Sequence, residues 1–268
     1  MTVYLAVLML LGLAGGFFSG LLGLGGAILM VPLLLYVPPL LHLPVLDMKS
    51  VAAVSTFQVF ASALSGAIAH RKRGAVSLPV LLYMGIPAAG AGFAGALFSQ
   101  YVNARVLLAV FAGISTLATF LMLLPRKKET EAGGAQRAFV QADAVRFNRG
   151  LAAFLAAGIG FIGGMIGAPG AFIFVPVSIY ILGIPMRITI GSTLGIVLLT
   201  AFTSMIGKIA SGQMLWAIAF ALVLGSVPAA QFGSRISHRA PVRTLHWMMT
   251  FIIAASSLKI WLDVLRAP

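Results

Sequence analysis

From Val3 to Leu22 the chain runs without a single charged side chain, and runs of this kind recur along its whole length. A helix of about 20 apolar residues is long enough to cross the hydrocarbon layer of a membrane. No water reaches that layer to satisfy backbone N–H and C=O groups, so a spanning segment is either a helix or part of a closed barrel. The runs here are longer than barrel strands and do not alternate polar with apolar, which selects helices. Composition agrees: 60% of the 268 residues are hydrophobic and 9% are charged, against about 25% charged in a soluble domain. The expected fold is an all-α polytopic protein in a lipid bilayer.

Helical segments are expected at 3–22, 27–35, 48–70, 76–98 and 104–124, then at 150–167, 171–182, 188–209, 214–234 and 243–264. Glycines at 23, 25 and 26 should unwind the chain after the first segment, because glycine lacks a Cβ and has low helix propensity. Pro38, Pro39 and Pro44 are expected to stop the second near Leu35, and Pro87 to kink the fourth. The first run has no basic residue before it, unlike a cleaved signal peptide, and reads as a structural helix.

The glycines form part of a repeat. The stretch Gly20-Leu-Leu-Gly-Leu-Gly-Gly-Ala-Ile-Leu-Met-Val-Pro32 returns as Gly164-Met-Ile-Gly-Ala-Pro-Gly-Ala-Phe-Ile-Phe-Val-Pro176. At a constant offset of 144 residues, Gly20, Gly23, Gly26, Ala27, Val31 and Pro32 meet Gly164, Gly167, Gly170, Ala171, Val175 and Pro176. Shorter echoes follow: Ser55-Thr56 resembles Ser192-Thr193, and Pro87-Ala-Ala resembles Pro228-Ala-Ala. The chain therefore reads as a first transmembrane repeat at 1–124, a linker at 125–149 and a second repeat at 150–268, each with a glycine-broken helix.

Residues 1–44 would extend about 66 Å as one helix, twice a ~30 Å hydrocarbon core. They either cross back or fold into a re-entrant hairpin. Crossing back gives about five segments per half, ten in all, and an odd number inverts the second half relative to the first. Re-entrance gives eight crossings and parallel halves. The basic residues split almost equally well either way, so the inverted arrangement is preferred because it accounts for every apolar residue of 1–44. Both arrangements put Arg71, Lys72, Arg73 and the charged linker 125–149 on the cytoplasmic side of the inner membrane.

Chemistry is limited by what is missing. The sequence has no cysteine and five acids: Asp47, Glu129, Glu131, Asp143 and Asp263, in the linker or at helix ends. No carboxylate pair serves acid/base catalysis within a span, and no metal cluster or cofactor motif appears. The four histidines (42, 70, 238 and 246) share no helical spacing and read as interfacial. The net charge of +13 sits at the ends of apolar runs, as in a membrane protein, and does not indicate nucleic acid. An intramembrane acid, the usual cation ligand or proton relay, is absent.

An anion fits better. An unwound Gly23–Gly26 leaves backbone N–H groups free where the next half-helix begins, and a helix start carries about +0.5 charge. The second copy offers the same. Candidate substrate-binding positions are therefore Gly23, Gly25, Gly26 and Ala27, with Gly167, Gly170 and Ala171. With inverted halves the two helix starts converge near the midplane. The plain alternative is that these glycines only allow close helix packing. Ser55, Thr56 and Gln58, with Ser192 and Thr193, are candidates to complete the site, against ordinary interhelical hydrogen bonding. Pro32, Pro87, Pro176 and Pro228 mark candidate breaks or gates. Lys208 is expected to snorkel to the interface, with countering an anion as the alternative.

The pattern Gly-x-x-Gly-x-Gly-Gly-Ala followed by Val-Pro, its degenerate second copy, and two halves around a charged linker resemble the TauE/SafE family of sulfite exporters, also described as organosulfonate and sulfite permeases. The resemblance covers nearly the full length. It implies secondary transport, usually export and proton-linked, of small sulfur-containing or carboxylate anions. It would carry that role onto Gly23, Gly25, Gly26 and Pro32, and onto Gly167, Gly170 and Pro176. A proton would then travel with the substrate's own titration or through a histidine.

Overall fold

The computed structural model describes residues 2–22, 26–71, 77–123, 147–237 and 242–266. Among these the regular structure is helical throughout. The helices are α1 (Thr2–Leu22), α2 (Ala27–Leu40), α3 (Met48–Arg71), α4 (Leu78–Phe98) and α5 (Ala104–Leu123). They continue as α6 (Arg149–Ile166), α7 (Ala171–Pro176), α8 (Met186–Ala210), α9 (Trp216–Ser237) and α10 (Val242–Arg266). A 3₁₀ turn at Ser99–Tyr101 follows α4, and α7 widens into a π-helical turn over Val177–Ile181. Six of the described helices are long and apolar enough to cross a membrane. Gly23, Gly25 and nearly all of the linker 125–149 lie outside the described residues.

Glycine decides the two closest packings. On α1, Gly12, Gly16 and Gly20 recur every fourth residue, so they lie on one face. A β-carbon at any of them would collide with the backbone of Leu222, Ser226 or Ala230 on α9. α9 answers with Gly225 and Gly233, against the backbone at Met9 and Phe17. α4 and α6 meet in the same way: Gly160 against Ala88, Gly164 against Gly92, and Gly95 against Phe161. Residue numbers rise together in both pairs, so α1 runs parallel to α9 and α4 parallel to α6. Gly16 and Gly20 stand at the 144-residue offset from Gly160 and Gly164. In lipid there is little hydrophobic drive between helices, and small residues gain contact by bringing backbones together.

α3 and α8 occupy the middle of the bundle, packed on each other and on both glycine-sealed pairs. Their polar residues therefore face protein: Ser55, Thr56, Gln58 and Ser62 on α3 and Ser192, Thr193, Thr200 and Ser204 on α8 are all buried. Many large apolar side chains are exposed, such as Leu10, Phe120, Phe154 and Phe251, which suits a surface against lipid.

One expectation about proline is corrected. α2 does not end near Leu35 but runs to Leu40, with Pro32, Pro38 and Pro39 inside it. The donors lost at Pro38 and Pro39 fall in its last turn, where Leu41 N–H still reaches the Val37 and Pro38 carbonyls and Leu43 N–H reaches Pro38. Pro87 lies inside α4 and Pro228 inside α9.

Gly16→Leu should force α1 from α9 and destabilise the protein by roughly 1–3 kcal/mol or more, the usual cost of overpacking. Gly113→Ala, at a position with open space around it, should leave the melting temperature in detergent unchanged or slightly raised, and comparing the two melts is the check.

Candidate substrate-binding site

Two breaks in the helical backbone define the site. After α6, Gly167 turns left-handed at φ 73° and closes the helix by donating to the Gly163 carbonyl. Gly170 is left-handed at φ 70° and opens α7. In the first half Gly26 takes the same conformation, φ 74°, and opens α2. Only glycine adopts this region without strain. Gly26 and Gly170 stand 144 residues apart and do the same job. Neither supplies a side chain to cap the helix it opens, so the first N–H groups there lack the usual capping oxygen.

α3 connects the two breaks. A β-carbon on Gly167 would collide with the Ala52 backbone. Gln58, six residues on and about 9 Å further along the helix, reaches the other break: its Nε2 lies 3.5 Å from where a β-carbon on Gly15 would stand. Gly15 in turn is the residue whose carbonyl abuts Gly26. Between these contacts sits Ser55, wholly buried, with no hydrogen-bond partner for its hydroxyl among the described residues. Gln58 donates from Nε2 to Ser62 Oγ at 2.9 Å, and Ser62 donates to the Gln58 carbonyl at 2.5 Å. That pairing fixes the amide with Oε1 pointing away, and Oε1 is also buried without a partner. Buried polar atoms are normally satisfied, so each exception needs an explanation.

The other candidates divide. Thr56 Oγ1 donates to Ala52 within its own helix at 2.8 Å. Ser192 Oγ accepts the Ser77 N–H at 2.9 Å and so ties α8 to the start of α4. It does not repeat the unpartnered state of Ser55. Thr193 is buried on α8. Ala27 and Ala171 are the first helical residues after the breaks. Pro32 lies inside α2 and Pro176 ends the α-helical turns of α7.

Lys208 corrects the sequence reading. Its side chain does not snorkel outward but is fully buried. Nζ donates to Ser99 Oγ at 2.6 Å, Gln213 Oε1 at 3.1 Å and the Met165 carbonyl at 3.2 Å. The signal that marks it is Thr200, Ser204 and Lys208 at four-residue spacing, a polar stripe on one face of α8.

A family model described as Sulfite exporter TauE/SafE matches residues 8–260. The chain belongs to the TauE/SafE family. Similar proteins include the probable membrane transporter protein YunE of Bacillus subtilis (strain 168), 25% identical over 257 residues, with 92% of this chain and 93% of that protein covered. A probable membrane transporter protein of Xylella fastidiosa (strain 9a5c) is 27% identical over 227 residues, covering 84% and 81%. The probable membrane transporter protein YjnA of Bacillus subtilis (strain 168) is 26% identical over 266 residues, covering 94% and 98%. No solved structure matches. The protein is thus a multi-pass membrane transporter of the TauE/SafE family.

In this TauE/SafE chain, Gly170→Ala should cost about 1–2 kcal/mol from the left-handed backbone alone. Its β-carbon also crowds the Ile159 and Phe174 side chains, which can shift, whereas that of Gly26→Ala meets the rigid Gly15 carbonyl and should cost more. Thermal unfolding in detergent should rank wild type above Gly170→Ala above Gly26→Ala.

Proposed function

We propose that this protein is a secondary transporter that moves a small anion (sulfite, an organosulfonate or a related sulfur or carboxylate compound) across the inner membrane by alternating access, in the direction of export. The observation that carries this reading is the pair of buried, unpartnered polar atoms on α3, Ser55 Oγ and Gln58 Oε1, between two left-handed glycine breaks. Ser55 donates to an oxyanion, and the helix starts at Gly26 and Gly170 favour negative charge. Gln58 Oε1 accepts from a hydrogen that the cargo brings, on a protonated oxyanion or an amine. A cargo that carries its own proton supplies proton coupling without an intramembrane acid.

Alternating access rests on two inverted halves, which three contacts support. Arg149 Nη1 donates to Tyr83 OH at 3.3 Å, so α4 and α6 start at one end of the bundle. Ser192 at the start of α8 meets Ser77, and Lys208 at its end meets Ser99, so α8 runs alongside α4. α9 returns toward the linker end, and α1 runs parallel to α9. The first helix of one half therefore points toward the linker and the first helix of the other points away. The glycine-sealed group of α1, α3 and α9 rocks against the group of α4, α6 and α8 along the α3–α8 contact, with linker 125–149 in the cytoplasm.

Counterflow in proteoliposomes tests the reading. Vesicles preloaded with unlabelled sulfite should take up labelled sulfite faster than empty vesicles, and uptake should saturate. Unsaturable flux that ignores preloading would make the protein an anion channel instead. Ser55→Ala should lower transport at subsaturating sulfite about tenfold, the size of one lost hydrogen bond to a charged group.

A further inference from the structure

Lys208 lies in the last turn of α8, and its three acceptors are all neutral. The Ser99 hydroxyl is already committed as a donor to the Ala96 carbonyl at 2.6 Å. It therefore only accepts from Nζ, as do the Met165 carbonyl and Gln213 Oε1. Three acceptors match the three N–H donors of an ammonium. Among the described residues no carboxylate pairs with it. Asp47, two residues before Lys49, accepts the Ser50 N–H at 3.2 Å and caps α3. A buried charge held only by neutral oxygens has its hydrogen bonds but not its counter-charge, an expensive state in a dry interior.

Three further observations point the same way. Lys49 Nζ donates to the Gln100 carbonyl at 2.8 Å, so two ammoniums are anchored on neighbouring residues of the Ser99–Tyr101 turn. Ser204, one turn before Lys208, is fully buried with no partner for its hydroxyl. Met165, whose carbonyl Lys208 holds, stands two residues before the left-handed Gly167. The cation therefore sits against the second break. At the 137-residue offset that aligns Ser55-Thr56 with Ser192-Thr193, Lys208 falls on Arg71, the last residue of α3.

We propose that Lys208 is the counter-charge for the transported anion. A small oxyanion reaching the Gly167–Gly170 break displaces the Gln213 and Met165 oxygens from Nζ and neutralises the buried ammonium. Ser204 adds a donor from the same face of α8. This rests on the anion-transport reading above and assigns the residue that sets the sign of the cargo. The opposing reading makes Lys208 a structural clamp that ties α4, α6 and α8 together through the same three bonds.

Thermal-shift titrations of purified full-length protein with sulfite, and separately with taurine, distinguish the two. Wild type should melt higher as sulfite rises, since a ligand that binds the native state stabilises it by an amount that grows with its concentration over Kd. Lys208→Met should weaken the apparent sulfite affinity by at least about tenfold, and Lys208→Arg should retain most of it. Should Lys208→Met fail to fold, Gln213→Leu gives the answer: it frees one N–H of Nζ, and sulfite should bind more tightly than to wild type. Equal sulfite affinity in wild type and Lys208→Met, or unchanged or weaker affinity in Gln213→Leu, overturns the counter-charge role and leaves the transport reading standing. A wild-type protein that responds to neither sulfite nor taurine overturns both.

Discussion

Close contact between glycine-bearing backbones is the interaction on which the rest of this bundle depends. α1 touches α9, and α4 touches α6, at distances that no side chain would permit. Helices in lipid gain little from burying apolar surface against each other, so such contact supplies much of what holds them. It also sets geometry. With the first helix of each half sealed to the fourth helix of the other, α3 and α8 are confined to the middle. The short helices α2 and α7 then start inside protein, where their uncapped ends are shielded from lipid.

The polar interior follows from that arrangement. α3 and α8 carry hydroxyls and amides at positions that would be costly against lipid and are tolerable at the centre of a bundle. Most are satisfied, Thr56 and Ser62 within their own helix and Ser192 by the Ser77 N–H. A few atoms are not: among the described residues of α3 and α8 the Ser55 and Ser204 hydroxyls and Gln58 Oε1 lack partners, while Lys208 lacks a counter-charge. An interior with one buried cation, helix starts and spare donors is suited to negative cargo. In a membrane transporter of the TauE/SafE family, it is the part of the chain best fitted to choose what crosses.

How much of this is legible in the sequence differs by feature. The helices are legible because uninterrupted apolar runs have one structural outcome in lipid. The breaks are legible because Gly26, Gly167 and Gly170 occupy backbone conformations that other residues avoid, and because the motif occurs twice. The reach of α2 is not: Pro38 and Pro39 read as terminators, yet their missing donors fall where the last turn has other hydrogen bonds available. Lys208 is misread for a related reason. Its place near a helix end suggests snorkelling, and although Gln213 follows five residues later, Ser99 and Met165 arrive from distant segments of the chain that no local pattern announces. The divergence of Ser192 from Ser55 is likewise tertiary, since the Ser77 N–H that engages it comes from the start of α4.

The central claim is that the two halves insert in opposite directions around one polar centre. The chain has no cysteine, so single cysteines can be placed without background. In intact cells an impermeant maleimide should label Asn103→Cys and Ser211→Cys from outside, and Gly134→Cys only after permeabilisation. That pattern puts the ends of α4 and α8 together on the face away from the linker, as inversion requires. Labelling of Ser211→Cys only after permeabilisation, together with Gly134→Cys, would make the halves parallel and contradict the account.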